Sequence, residues 1–330
     1  MREKRSCLER RARGGIPPEM KAMAGKVLIT GSNGMLGTDL CSELSADYAV
    51  YGADLAVNCQ LPVAGKKIIC DITDGADVAD AFGKLRPRFV IHTAAWADVD
   101  GCELDGGKAY AVNSAGTQNV ALASEEAGAT LIYISTDFVF DGRKKSPYIE
   151  TDKPGPLNIY ARSKLSGEES VKKIMTNYFT LRTSWLYGKN GKNFVDTIID
   201  KAKAARELKV VDDQAGSPTY TKDFAKAIHT LLDKITMDHQ PSTINYGLYH
   251  VSNSGGVSWY EYAKEILKLS GLDTKISPIS SEELGRPAKR PAMSVLDNSK
   301  FNIFTGHKMR PWKDALKEYL KERPAALINS

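Results

Sequence analysis

What this chain lacks narrows it first. No apolar run approaches the roughly 18 residues of a bilayer-spanning helix, so no membrane association is expected. Its five cysteines (Cys7, Cys41, Cys59, Cys70 and Cys102) are few, odd in number and without a C-x-x-C pair. They read as reduced packing thiols of a cytoplasmic protein, not as a disulfide frame or a zinc site. The five histidines are scattered, with no H-E-x-x-H spacing, so a catalytic metal is not expected. There is no G-x-S-x-G elbow for a serine hydrolase, and no internal repeat or low-complexity tract. Excess charge is missing too. Of the net +5, residues 1–25 hold +4 (seven Lys/Arg against three Glu), which leaves +1 for the remaining 305 residues. So neutral a body gives no argument for nucleic acid. The basic stretch 1–25 has no apolar h-region, which argues against a secretory signal. It is expected to be a disordered extension, or to lie upstream of a start at Met20 or Met23.

What is present is a chain of 330 residues, 42% hydrophobic and 26% charged, ordinary for a globular protein. That length suits one large α/β domain or two unequal lobes. The organising stretch is Lys26-Val-Leu-Ile-Thr-Gly-Ser-Asn-Gly-Met-Leu-Gly37. A short apolar run meets Gly31, Gly34 and Gly37, and a helical pattern opens directly after. Strand, tight turn and helix N-terminus form the layout that seats a pyrophosphate on free backbone N–H groups. Gly31 suits the turn, Gly34 a close approach of the phosphates, and Gly37 the packing of helix on strand.

Further short strands follow at Tyr48–Asp54, Lys67–Asp71, Phe89–Trp96 and Thr130–Asp137, with one helical stretch predicted from about Gly106 to Ala127. This alternation predicts a Rossmann-type doubly wound parallel sheet with helices on both faces and a ligand beyond the carboxyl ends of the strands. Asp54 lies 17 residues beyond Gly37, near the spacing of about 20 at which an acid binds the adenosine ribose. No Arg follows it to welcome a 2′-phosphate, so NADH is favoured over NADPH. Past Tyr187 the rhythm loosens. Helices are predicted at about 194–206, 221–235, 258–269 and 312–322, with strands near 208–213 and 247–252. Residues 26–185 are therefore expected to form the NAD(P)-binding domain. Residues 186–330 would form a smaller C-terminal substrate lobe with segments returning to the sheet.

The decisive pair is Tyr160 and Lys164. At i and i+4 they share a helix face, so the ammonium is expected to favour phenolate and lower the phenol's pKa. Ser135 and Thr136, at the end of the fifth strand, place a hydroxyl where it could hold the same substrate oxygen. Together these make an acid–base group for a carbonyl and its alcohol.

With these residues in view the chain resembles the extended short-chain dehydrogenase/reductase superfamily, and within it the dTDP-4-dehydrorhamnose reductase family. The resemblance covers roughly residues 26–322. It rests on Ile29-Thr-Gly-Ser-Asn-Gly-Met-Leu-Gly37, Ser135-Thr-Asp-Phe-Val-Phe-Asp-Gly142 and Pro156-Leu-Asn-Ile-Tyr-Ala-Arg-Ser-Lys-Leu-Ser-Gly-Glu168. Arg182-Thr-Ser-Trp-Leu-Tyr187, Asp213-Gln-Ala-Gly-Ser-Pro-Thr219 and Arg290-Pro-Ala-Met-Ser-Val-Leu-Asp297 extend it. The resemblance implies reduction of dTDP-4-dehydro-β-L-rhamnose to dTDP-L-rhamnose by NADH or NADPH. It implies Tyr160 as proton donor, Lys164 on the nicotinamide ribose and Thr136 on the carbonyl. Gly34, Met35 and Leu36 would face the pyrophosphate, Asp54 the adenosine ribose, and Asp71 and Ile72 the adenine. Ala95, Trp96 and Ala97 would face the middle of the cofactor, and Asp137 and Trp185 the sugar.

The chain departs from the family at Phe138, where a tyrosine is usual, and at Trp96-Ala-Asp98, a loop usually smaller or carrying His or Tyr. Both bear on which keto-sugar fits. Arg286 and Arg290 could clamp the sugar nucleotide's diphosphate, since guanidinium presents a bidentate fork. Some relatives are associated with Mg²⁺, but no ligand set is readable here, and a homodimer stays open. Two other functions also stay open. One is a nucleotide-sugar epimerase or dehydratase. The other is a non-catalytic regulatory subunit of the methionine adenosyltransferase type.

Overall fold

The structure, a computed structural model, describes residues 25–56, 67–237 and 244–323. Of the basic stretch 1–25 expected to be disordered, residues 1–24 lie outside them, as do Cys59 and His239. In β1 (Lys26–Thr30), Val27 and Ile29 belong to one buried cluster and Leu28 to another. A strand buried on both faces belongs inside a parallel sheet covered on both sides, and β1 pairs in parallel with a neighbour on each edge.

The chain continues through α1 (Met35–Leu44), β2 (Ala49–Asp54), β3 (Lys67–Ile69), α2 (Gly75–Leu85) and β4 (Phe89–His92). Next come α3 (Val99–Leu104), α4 (Gly106–Tyr110), a π-helical turn (Ala111–Gly116), α5 (Thr117–Glu126) and β5 (Thr130–Thr136). The single long helix expected over 106–127 is thus interrupted by that turn. Then follow α6 (Ile159–Ile174), β6 (Tyr178–Thr183), β7 (Leu186–Tyr187), α7 (Phe194–Ala204), β8 (Glu207–Val211), β9 (Ala215–Gly216) and β10 (Thr219–Tyr220). The remainder is α8 (Thr221–Met237), β11 (Gly247–His250), β12 (Val257–Ser258), α9 (Trp259–Leu269), β13 (Lys275–Ile279), α10 (Ser281–Leu284), α11 (Ser299–Thr305) and α12 (Trp312–Glu322).

Seven parallel strands form the main sheet in the order β11-β6-β5-β4-β1-β2-β3. The direction of winding reverses between β1 and β4, which opens a crevice at their carboxyl ends. One face is covered by α1 and α8 through Leu36, Leu40, Phe224, Ile228 and Leu231. The other is covered by α2, α5 and α6 through Val78, Phe82, Val120 and Val171. This is the doubly wound α/β fold. A separate core of Val195, Ile198, Ile266, Trp312 and Leu316 joins α7, α9 and α12. The pair β8–β13 lies beside it, and β13 had no counterpart in the sequence reading. Among the described residues, no helix is long and apolar enough to cross a membrane.

Candidate active site

The cofactor side of the crevice is built from backbone. Gly31 has φ +72°, and a Cβ there would lie 2.6 Å from the Ala94 amide nitrogen. A Cβ on Gly37 would sit 2.2 Å from the Gly31 carbonyl oxygen. Neither position admits a side chain. Helix α1 opens after Gly34 with no side-chain cap and no acid in its first turn. Its first N–H groups and the positive end of its dipole are left for an anion. Asp54, ending β2, accepts from the Asn33 amide at 2.9 Å and so ties the turn to the strand beside it.

Two adjoining hollows run from this turn and share Gly31, Gly34, Thr93 and Ala95. One, of about 390 Å³, includes Asp54, Asp71 and Ile72. The other, of about 500 Å³, runs past Met35, Leu36 and Ala97 to Thr136, Tyr160 and Lys164. The turn without Cβ room, the uncapped helix and the acid at the end of β2 fit a dinucleotide laid across both.

The chemical end rests on α6. Asn158 caps that helix by accepting from the Ala161 amide at 2.8 Å, and its own amide donates to the Lys289 carbonyl at 2.7 Å. Tyr160 therefore stands in the first turn of a helix anchored at both sides. Phe138 presses its ring against Tyr160, edge to face, with centroids 6.1 Å apart. One turn further, Lys164 is 3% exposed and donates to the Ile134 carbonyl at 2.8 Å. Its ammonium also lies 4.3 Å from the centre of the Tyr133 ring.

The charges differ from the expectation. Burial pushes the Tyr160 phenol above its ordinary value, and a hydrogen bond with Thr136 only partly offsets this. Burial pulls Lys164 down to about 7, against the opposing pull of Glu168. The expected lowering of the phenol by Lys164 is corrected: its ammonium is engaged by the Ile134 carbonyl, burial raises the phenol, and the tyrosine stays protonated. A protonated phenol is what a proton donor must be. Asp137, 2% exposed, accepts from the Ser184 hydroxyl at 2.9 Å, and burial pushes it up to about 6.

Trp185 closes the far side of the cleft. Its φ of +46° is unusual for a residue with a Cβ and marks a strained position that its surroundings must hold. Its indole stacks on Trp259 with centroids 3.3 Å apart and planes 6° from parallel. Gly216 lies on it so closely that a Cβ would come within 2.4 Å of the ring.

Gly31, Gly34, Met35, Leu36, Gly37, Ala95, Ala97, Thr136, Asp137, Tyr160, Lys164 and Trp185 thus line the hollow at the catalytic end, with Asp54, Asp71 and Ile72 in the adjoining one. Three residues fall elsewhere. The Trp96 amide donates to Asn113 Oδ1, while its ring carries the Lys108 ammonium at 4.5 Å. Arg286 and Arg290 each donate to Asp100 at 2.9 Å and do not line the cleft. Both guanidinium groups are engaged by that one carboxylate and neither lines the cleft, so the structure gives the expected diphosphate clamp no support.

Sequence reasoning missed other contributors. Lys192 and Trp259 line the cleft. Asn113, in the π-helical turn, accepts from the Trp96 amide and donates to the Trp96 carbonyl and to Ser163 of α6, tying the loop after β4 to the tyrosine's helix. The aromatic residue opening α9 was legible only as core. Among the described residues, no cluster of three or more His, Cys, Asp or Glu side chains could hold a metal.

Comparison with known proteins agrees with this geometry. The spore coat polysaccharide biosynthesis protein SpsK of Bacillus subtilis is 42% identical over 302 residues, 91% of this chain and 99% of that protein. The dTDP-4-dehydrorhamnose reductase of Streptomyces griseus is 37% identical, covering 88% of this chain and 91% of that protein. A solved structure of dTDP-4-dehydrorhamnose reductase from Bacillus anthracis in complex with NADP aligns with a TM-score of 0.82 at 39% identity, covering 90% of this chain and 99% of that one. The RmlD substrate binding domain description matches residues 25–324, a span that includes every described residue. By the glycine turn, the Tyr160/Lys164 helix and these relatives, the chain belongs to the RmlD substrate binding domain family, with the extended short-chain dehydrogenase/reductase fold.

Proposed function

We propose that the chain is an NAD(P)H-dependent reductase of a dTDP-4-dehydro-6-deoxysugar, turning dTDP-4-dehydro-β-L-rhamnose into dTDP-L-rhamnose. The observation that carries this reading is the meeting of Thr136, Tyr160 and Lys164 at one end of a cleft whose other end is the glycine turn. The bound cofactor supplies the hydride. Gly34, Met35 and Leu36 present amides to its pyrophosphate, Asp54 takes the adenosine ribose, and Asp71 and Ile72 flank the adenine. Lys164 holds the nicotinamide ribose. At the sugar, the Thr136 hydroxyl holds the C4 oxygen and Tyr160 donates its proton there as the alkoxide forms. Asp137 and Trp185 fix the pyranose so that C4 faces that hydroxyl. Proton donation of this kind contributes about 10²–10⁴-fold to the rate.

In this reading residues 26–185 form the cofactor half and residues 186–330 mainly the sugar half. The chain works in the cytoplasm, where the buried thiols Cys41, Cys70 and Cys102 stay reduced, and assembles as a homodimer. Incubation with the 4-keto-sugar nucleotide and either reduced cofactor, followed by identification of the deoxyhexose, tests the assignment. The rhamnose product is expected. A sugar that is isomerised yet still at the ketone level would turn the reading toward an epimerase. Light scattering tests the dimer separately.

A further inference from the structure

We propose that Glu168, held by Arg182 and Ser135, is a positioning residue that keeps Lys164 charged and in place. This deepens the reductase reading and rests on it. Tyr160, Lys164 and Glu168 follow one another at intervals of four on α6 and so share a face. Glu168 is buried at 8% exposure, and a carboxylate so placed needs partners. It has three hydrogen bonds. Arg182 donates through Nε to Oε1 at 2.8 Å and through Nη2 to Oε2 at 2.6 Å, while the Ser135 hydroxyl donates to Oε1 at 2.5 Å. Arg182 and Ser135 are register partners on β6 and β5. One side chain of α6 therefore pins both strand ends beneath the helix. Thr136 comes directly after Ser135, and Ile134, whose carbonyl accepts from Lys164, directly before it. A shift of Glu168 would move the hydroxyl, the lysine anchor and the tyrosine against one another.

The same carboxylate acts on the lysine's charge. The groups facing Lys164 are Glu168 on its own helix, Tyr133 on β5 and His92 on β4. His92 is kept neutral by burial, its pKa lowered to about 3. Glu168 is the group that pulls Lys164 upward against desolvation. Arg182, facing Glu168 from β6, and Tyr133, which Glu168 also affects, complete the surroundings.

The test compares wild type, Glu168→Gln and the double variant Glu168→Gln/Arg182→Met. The second change removes the cation that the first would leave buried alone. Two quantities are read across pH: kcat/KM for keto-sugar reduction, and NADH affinity by equilibrium fluorescence titration. Without the carboxylate, Lys164 loses its proton at lower pH. The alkaline limb of kcat/KM is expected to move down by about one pH unit, a tenfold change in the proton equilibrium. NADH binding is expected to weaken several-fold near pH 8 and to recover by about pH 5, with KM for the sugar little changed. A purely structural role would lower activity evenly at all pH values. Unmoved profiles in a folded variant, or loss of the fold in the double variant as well, would overturn the proposal. A wild type that binds NADH but does not reduce the keto-sugar would instead sink the reductase reading, and the binding arm would still judge Glu168.

Discussion

Lys164 donates to the carbonyl of Ile134 at 2.8 Å, tying the helix that carries Tyr160 to the strand that ends in Thr136. The contact gives the two proposed chemical roles separate signatures. Tyr160→Phe removes only a hydroxyl and is expected to cut kcat by about 10²–10⁴ while NADH affinity stays close to wild type. Lys164→Met removes the proposed ribose contact and the strand anchor together, so NADH affinity and kcat should fall together. Steady-state kinetics paired with cofactor titration separates the two patterns.

Gly216 is expected to control the sugar end. In Gly216→Ala the new methyl would meet the Trp185 ring at 2.4 Å, and the indole must leave its stack on Trp259. KM for the keto-sugar should rise several-fold, with cofactor binding unaffected. Intrinsic tryptophan fluorescence should change in parallel. Trp259→Ala removes the other side of the stack and should raise KM in the same direction. An unchanged KM in both variants would separate the tryptophan pair from substrate binding.

Asp54 is expected to set cofactor preference. Its carboxylate lines the hollow beside the glycine turn and would repel a 2′-phosphate there. NADH should match or exceed NADPH in kcat/KM, and Asp54→Ser should shift the ratio toward NADPH. Some NADH affinity should also be lost, because the Asn33 amide loses its acceptor. A wild type that favours NADPH tenfold would refute the ribose role.

His229 predicts a pH dependence of stability far from the active site. It lies on α8 and faces α1, 2.9 Å from Glu43, 3.5 Å from Asp47 and 3.7 Å from Asp233, with Tyr48, Lys222 and Lys226 nearby. Burial pulls the imidazole's pKa down, but the hydrogen bond to Glu43 and the charges of Asp233, Glu43 and Asp47 raise it overall. A raised folded-state value stabilises the fold fully below the unfolded pKa of about 6.5. That contribution is lost as pH climbs through the folded value. Tm should therefore decline as pH rises above about 6.5, and His229→Gln should flatten this part of the curve. A Tm that does not fall over this range would contradict the ion pairing.

Local signals carried most of the fold. The glycine turn, the alternating strands and the i, i+4 spacing of Tyr160 and Lys164 each lie within a dozen residues, where backbone geometry alone decides the outcome. The π-helical turn around Asn113 was not legible, since an extra residue in a helix leaves the apolar pattern almost unchanged. Arg286 read as a free cation because its partner Asp100 is 186 positions away. The Trp185–Trp259 stack was hidden for the same reason. The phenol's charge state needed the structure most. Spacing puts Lys164 one turn from Tyr160, but only the packed site shows the burial that raises the phenol.

The most direct measurement is the stoichiometry of NADH consumption when the purified chain meets a limiting amount of the dTDP-4-keto-6-deoxysugar. Reduction at C4 expects one equivalent of NADH oxidised for each sugar, with no regeneration. Complete turnover of the sugar without net loss of NADH absorbance, or no turnover at all, would contradict the reductase.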